Sequence, residues 1–173
     1  MFSYKIITGH EYPEFLNMLL SHTSQYAIQS LVYIALHGGE GPLLSREIAA
    51  SLDVPSAYLA KILQSLCKGG LLTSHRGRLG GFGLSEAPEK LSLMNVINIT
   101  EGAGFTKECL LGLKVCSDET ACPMHPVWKP IKERILQMLE SQNLETVANA
   151  VREGKYRLTD LPGSLCPDLD AAK

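Results

Sequence analysis

"SREIAASLDVPSAYLAKILQSLCKGGLLTSHRGRLGGFGL", residues 45–84, is the stretch whose reading decides the fold. Ser45 can cap a short helix from Arg46 to Leu52. Val54-Pro55-Ser56 then makes a tight turn into a second helix, Ala57 to about Cys67, stopped by Gly69-Gly70. Two short helices joined by a three- to four-residue turn form a helix-turn-helix. Beyond it Leu72, Ser74 and Arg76 alternate with Thr73 and His75. Glycines cluster at Gly77, Gly80, Gly81 and Gly83, and Phe82 and Leu84 resume the alternation. That is the pattern of a glycine-turned β-hairpin. A hairpin directly behind a helix-turn-helix gives the winged form of the motif, in which the second of these helices enters a major groove and the hairpin follows the backbone or minor groove.

Upstream, Thr23 or Ser24 can cap a helix whose apolar positions Tyr26, Ala27, Leu31, Ile34 and Ala35 recur at helical spacing, ending near His37-Gly38-Gly39. Downstream, Ser92 caps a fourth helix, Leu93 to about Glu101, and Gly102-Ala103-Gly104 opens a cysteine-bearing loop. A long amphipathic helix follows, with Trp128, Ile131, Ile135, Met138 and Leu139 on one stripe and Lys132, Glu133 and Glu140 opposite. Pro130 requires that helix to begin within a turn of it. Leu144 to Arg152 makes a last short helix. The expected fold is mainly α with a small β-hairpin wing: a winged helix-turn-helix domain plus a long dimerisation helix. Residues 1–17 read as an extension, 18–103 as the winged domain with the fourth helix, 104–125 as the loop, 126–153 as the dimerisation helix and its short successor, and 154–173 as a flexible tail. Met18 reads as a translation start; a short helical extension over Glu14 to Leu20 is the other reading.

At 173 residues, 45% hydrophobic and 20% charged, the chain has material for one core with extensions. Its longest apolar runs, such as Leu31 to Leu36, fall far short of the roughly 18 residues of a membrane span. The opening MFSYKIITGHEY lacks the plan of a secretory signal, so the expectation is a cytoplasmic protein with no membrane partner. A net charge of −2 does not announce a nucleic-acid binder. Between Met18 and Ser85, however, Arg46, Lys61, Lys68, Arg76 and Arg78 outnumber Glu40, Glu47 and Asp53, so the basic side coincides with the winged motif.

On the reading helix Leu59, Ile62, Leu63 and Leu66 fall inward, while Ser56, Ala57, Tyr58, Ala60 and Lys61 face base edges. Ser56 can bond either base type, Lys61 a guanine edge or a phosphate, and Ala57 or Ala60 a thymine methyl. Arg76 and Arg78 suit phosphates and a narrow minor groove. Double-stranded DNA is the expected partner; a protein-binding module of similar pattern is the alternative. The weak charge calls for a homodimer that doubles the contacts, with the long helix as its seam, unless that helix lies on its own domain's core.

Cys109, Cys116 and Cys122 are separated by six and five residues, and His125 follows the last by three. Gly112, Ser117, Asp118 and Pro123 mark the segment as loop, with slack enough for four side chains to converge. An odd total of five cysteines without an export signal argues against a disulfide framework. Three thiolates and an imidazole suit an iron–sulfur cluster or a tetrahedral zinc, and the gaps, longer than those opening most structural zinc sites, fit the larger body better. Unligated thiols working as a redox switch stay open beside both. Cys67 reads as core packing, and Cys166 has no evident partner. A zinc- or thiol-dependent enzyme is the weakest reading, since only Asp118, Glu119 and His125 could serve as acid–base groups and no substrate loop accompanies them.

LLSHTSQYAIQSLVYIAL, YLAKILQSLCKGGLL, SHRGRLGGFGL and three cysteines leading to HPVW, in that order, resemble the Rrf-two family of winged helix-turn-helix regulators, IscR-, NsrR- and RirA-like, from Met18 to about Val147. The resemblance implies a dimeric bacterial transcription factor, often a repressor. It would bind a palindromic or semi-palindromic operator and sense iron–sulfur status, nitric oxide or redox state through a bound cluster. It implies Cys109, Cys116 and Cys122 as metal ligands and, as in IscR-like chains, His125 as the fourth. The acidic fourth ligand of some NsrR-like chains would fall at Gln25, which favours His125. The first cysteine gap is one residue longer than in IscR-like chains, which leaves two-iron and four-iron clusters both open. Ala60 stands where IscR-like chains carry a glutamate whose DNA contact depends on cluster state, so operator preference does not transfer. The wing arginine matches at Arg76.

Overall fold

The computed structural model describes residues 19–77, 80–102, 104–107, 109–114, 116–154 and 156–158. Arg78, Cys166, the extension over 1–17 with Met18, and the tail from 159 onward lie outside these. The order of elements is α1 (His22–His37), α2 (Ser45–Leu52), α3 (Ser56–Lys68), β1 (Leu72–His75), β2 (Gly81–Leu84), α4 (Leu93–Thr100), α5 (His125–Ser141) and α6 (Leu144–Arg152). This is the expected class: helices with one small antiparallel hairpin in the winged arrangement.

Two helix starts differ from the sequence expectation. Ser21, not Thr23 or Ser24, caps α1, its Oγ accepting the Ser24 N–H at 3.2 Å. Thr23 and Ser24 instead use their hydroxyls on neighbouring elements. In α2 Ser45 is already helical; Leu44 holds the cap position, and the Glu47 carboxylate accepts the Leu44 N–H at 3.3 Å. The carboxylate three residues on thus makes the return half of a capping box, to the cap residue's own N–H, while Leu44 offers no side-chain acceptor to the first turn. Between α2 and α3 the chain reverses at Asp53, with φ 52°, the one described non-glycine residue in the left-handed region. A short polar side chain tolerates that conformation, and the Val54 N–H returns to the Ala49 carbonyl at 3.0 Å to seal the turn.

Helix α3 keeps its apolar side inward: Leu59, Leu63 and Leu66 are fully buried and Ile62 nearly so, against Leu31, Ile48 and Val96 in one cluster. Each such side chain contributes about 1.5–3 kcal/mol by leaving water, which fixes the rotation of α3 and hence which residues face out. The wing pairs Leu72 with Leu84, Thr73 with Gly83, Ser74 with Phe82 and His75 with Gly81. Its second strand is also tied, on the side away from β1, to the chain before α2, where Leu43 and Phe82 exchange two backbone hydrogen bonds of 2.9 and 2.8 Å. Gly81 is required by this approach, since a Cβ there would lie 2.5 Å from the Leu43 carbonyl oxygen.

Beyond the wing, Ser92 and Asn95 cap α4 reciprocally. A bridge between Ser92 and Asn143, with hydrogen bonds from Leu93 N–H to Gln142 and from Leu144 N–H to Leu91, both 2.9 Å, lays α6 back on α1. Leu144 and Ala148 are fully buried in the same core as the reading helix. Helix α5 begins at His125, more than a turn before Pro130. Pro126 sits in the first turn, where no N–H is needed. Pro130 removes the donor for the Pro126 carbonyl, at an exposed residue that water can serve. The expected single stripe of α5 divides in two: Leu139 is buried with Met94 and Ile97, and Ile135 packs beside them, whereas Ile131 and Met138 stand exposed. Among the described residues no helix is long and apolar enough to cross a membrane.

Candidate functional site

The outward side of α3 presents Ser56, Ala57, Tyr58 and Lys61 to solvent, with Ala60 half-buried. Tyr58 is held from behind. Its hydroxyl is 2.8 Å from Thr23 Oγ1, and its ring meets the Tyr26 ring edge-on at 6.1 Å between centroids. Both partners belong to α1, so the first turn of α3 is fixed to the first turns of α1. Arg76 follows β1 directly and is exposed in the hairpin turn.

The cysteine segment runs from the end of α4 to the start of α5 with one short 3-10 turn, Phe105–Lys107. It brings together the thiols that the sequence left free to meet. The backbone N–H groups of Leu111 and Leu113 point to Cys109 and hold its thiol below the ordinary cysteine pKa, with further hydrogen bonds from the Cys116 and Cys122 thiols. Burial pushes Cys116 up, partly offset by the Lys132 ammonium, and the neighbouring sulfurs of Cys109 and Cys122 push it further up. Cys116 Sγ lies 3.3 Å from His125 Nδ1. His125 is buried at the first position of α5, and its other nitrogen, Nε2, lies 3.0 Å from Asp118 Oδ1. Lys129, one turn along α5, donates to both Asp118 oxygens at 2.9 and 2.7 Å. The Lys129 and His125 hydrogen bonds hold the Asp118 carboxyl below its usual range, and Asp118 raises the Lys129 ammonium in turn.

No three His, Cys, Asp or Glu side chains among the described residues stand ready-made around one ion. The donor chemistry nevertheless fits a thiolate-bound metal group: three thiols within hydrogen-bonding reach, one of them with its pKa lowered by backbone N–H groups, and an imidazole with one nitrogen on the Cys116 sulfur. One buried donor is also unspent. The Trp128 Nε1–H, on the residue three positions after His125, is buried with no hydrogen-bond partner among the described residues. Leaving such a group unpaired costs about 1–3 kcal/mol.

Two contributors were missed by sequence reasoning. Asp118 was legible only as an acid in a loop, because its pairing with His125 and Lys129 depends on the chain doubling back. Glu101 read as a helix end. Its carboxylate accepts the Ser21 N–H at 2.8 Å and the Ser24 hydroxyl at 2.5 Å, so the residue before the cysteine loop is bound to the start of α1. Burial pushes the Glu101 carboxyl up, but the bonds from Ser24 and Ser21 together outweigh it and hold it below the usual range.

Comparison with known proteins agrees with the winged fold. Residues 20–150 match the Rrf2 family, described as iron-dependent transcriptional regulator. IscR of Aliivibrio salmonicida, an HTH-type transcriptional regulator, is 29% identical over 127 residues, 73% of this chain and 75% of that protein. The solved structure of T. potens IscR superposes with a TM-score of 0.64 at 28% identity, covering 80% of this chain and 91% of that one. CymR, the global cysteine regulator of B. subtilis, superposes with a TM-score of 0.63 at 26% identity, over 75% of this chain and 95% of its own. With the winged fold and the loop in place, the chain belongs to the Rrf2 (Rrf-two) family of DNA-binding transcriptional regulators.

Proposed function

We propose that this regulator acts as a homodimer on a palindromic or semi-palindromic operator and senses iron–sulfur, nitric oxide or redox status through a cluster held by Cys109, Cys116, Cys122 and His125. The observation that carries the reading is the gathering of three thiols and His125 Nδ1 in the one loop between α4 and α5. When bound, the cluster supplies a centre that oxidants, nitric oxide or iron shortage can dismantle. The chain's own part is to hold the loop in one conformation while the centre is present and to release it otherwise. Binding shifts that balance only by its differential affinity for the two arrangements.

In this reading residues 18–103 grip DNA, 104–125 sense, and 126–153 join the two copies. Ser56, Ala57, Tyr58, Ala60 and Lys61 read base edges, and Arg76, with Arg78 beside it in sequence, meets phosphate or the minor groove. The seam is argued from α5, where Val127, Ile131 and Met138 are 58%, 48% and 46% exposed. At 100° per residue they lie within about 40° of one another, an apolar face left open among the described residues.

A second reading, a regulator switched by zinc or by its thiols without a cluster, is favoured by one feature: Cys109 is stabilised by backbone N–H groups that need no metal. Anaerobic purification with an absorption spectrum and assays for iron, sulfide and zinc separates the cases. Brown protein with iron and sulfide supports the cluster; colourless protein with zinc, or with neither, refutes it. Replacing any of the three cysteines by alanine should remove the visible absorbance and alter operator binding. Spectra like those of the wild type would refute the ligand assignment.

A further inference from the structure

Between the cysteine loop and α5 lies a chain of contacts that the ligand set alone does not require. It runs from Cys116 Sγ to His125 Nδ1 at 3.3 Å, from His125 Nε2 to Asp118 Oδ1 at 3.0 Å, and from both Asp118 oxygens to Lys129 Nζ. We infer that Asp118, gripped by Lys129, is the positioning residue that turns the His125 ring so that Nδ1, and not Nε2, is offered to a metal at the thiols. The inference rests on the proposed reading of the loop as a thiolate metal site, and adds to it which nitrogen binds and what aims it.

The reasoning is one of donors and acceptors. An ionised carboxylate only accepts, so the 3.0 Å contact requires the proton on Nε2. In the neutral imidazole, the form that can bind a metal, that leaves Nδ1 with its lone pair, and the neighbour of Nδ1 is a ligand thiol. Hydrogen bonding of the far nitrogen to a carboxylate is the general means by which metal-bound histidines are fixed in tautomer and rotation. Lys129 adds a second constraint, because it belongs to α5, as His125 does, whereas Asp118 belongs to the loop. Donating to both carboxylate oxygens, it clamps the loop to the helix one turn beyond the histidine. His125 is buried, while Asp118 is largely exposed. The geometry is therefore set by two directional contacts and not by packing around the acid. The residues between Cys116 and Cys122 thus have a task besides spacing: they carry the acid that orients the fourth donor.

The test uses the full chain, with Co²⁺ as the probe for the thiolate site, read by its sulfur-to-metal charge transfer and tetrahedral d–d bands. Asp118→Ala should weaken Co²⁺ binding by about 10–100-fold, the usual cost of removing an outer partner of a ligating histidine. Asp118→Asn, which keeps an acceptor for Nε2–H, should recover part of that loss. In a His125→Ala background Asp118→Ala should cost nothing further, because its effect passes through the imidazole. Wild-type affinity in Asp118→Ala, or an equal loss with and without His125, would overturn the assignment. If the wild-type chain shows no charge-transfer band, the metal reading itself fails, and ¹⁵N spectra of His125 in the metal-free protein at mildly alkaline pH decide the orientation. Nε2–H alone in the wild type and a tautomer mixture in Asp118→Ala would support it; identical spectra would overturn it.

Discussion

Glutamine in place of Glu101 should weaken the protein in a way that depends on pH. The carboxylate accepts the Ser21 N–H and the Ser24 hydroxyl at the N-terminus of α1, where the helix end itself favours negative charge. Two charge-assisted hydrogen bonds would contribute roughly 1.5–3 kcal/mol each if fully shielded. Glu101 is only partly buried, so screening by water takes most of that away, and glutamine keeps one acceptor oxygen. A net loss of about 1 kcal/mol remains, which at a urea slope of about 2 kcal/mol per molar moves the midpoint down by roughly 0.5 M. The folded-state pKa of Glu101 is depressed, so the stability it contributes is present above the unfolded glutamate pKa of about 4.3 and is lost as pH falls through the folded value. Urea midpoints of the wild type and Glu101→Gln should differ by a constant amount from pH 7 to about 5 and converge in more acidic solution. A gap that stays the same throughout that titration, or no gap at pH 7, would refute the assignment of this carboxylate as the ionised cap of α1.

Gly81→Ala forces a Cβ to within 2.5 Å of the Leu43 carbonyl oxygen, a backbone atom held in a ladder. A loss of about 2–3 kcal/mol, with weaker operator binding, is expected from urea unfolding and gel-shift titration. Arg76→Ala leaves the exposed hairpin turn otherwise intact. In a dimer it should flatten the slope of log affinity against log salt by roughly 2, one phosphate contact per subunit, and an unchanged slope would remove Arg76 from the interface. Changing Ile131 and Met138 together to aspartate places charges on an exposed face of α5, so the melting of the single chain should hardly change. Sedimentation should then report a monomer; a persistent dimer would mean that the seam lies elsewhere.

The winged fold was legible because its determinants are local. The spacing of Leu59, Ile62, Leu63 and Leu66 fixes the inward face of α3, all four are buried, and the glycines of the hairpin fall where it turns and where it approaches Leu43. Helix starts were less legible, since Ser21, Thr23 and Ser24 are chemically equivalent as caps. The choice went to Ser21 because Thr23 is held by Tyr58 and Ser24 by Thr100 and Glu101, partners 35 to 77 residues away. The stripe of α5 was misjudged for a related reason. Helical periodicity identifies apolar residues that need cover, but not whether the cover is α4, as for Leu139, or lies outside the chain, as for Ile131. In the loop the spacing of Cys109, Cys116 and Cys122 permitted convergence without requiring it. Asp118 was invisible as a partner of His125 because no periodic element links them.

These long-range contacts also join the cysteine loop to the helix proposed to read DNA. Helix α1 is held at its start by Glu101, the last residue before the glycines that open the cysteine loop, and holds in turn the first turn of α3 through Thr23 and Tyr58. The same α4 that ends at Glu101 packs Met94 and Ile97 against Leu139 of α5, the helix into which the loop runs at its other end. Both ends of the loop are thus anchored on α4, one by the chain itself and one by packing. A change in the loop that shifts α4 by a fraction of a turn must move either the Glu101 contact or the Leu139 contact, because a close-packed core does not absorb such shifts gradually. Of the two, the Glu101 contact is the softer, being polar and partly open to water, and it is the one connected to α3. In the proposed reading, a change in the loop would then reach α3 through α1 more readily than through the buried leucines beneath it.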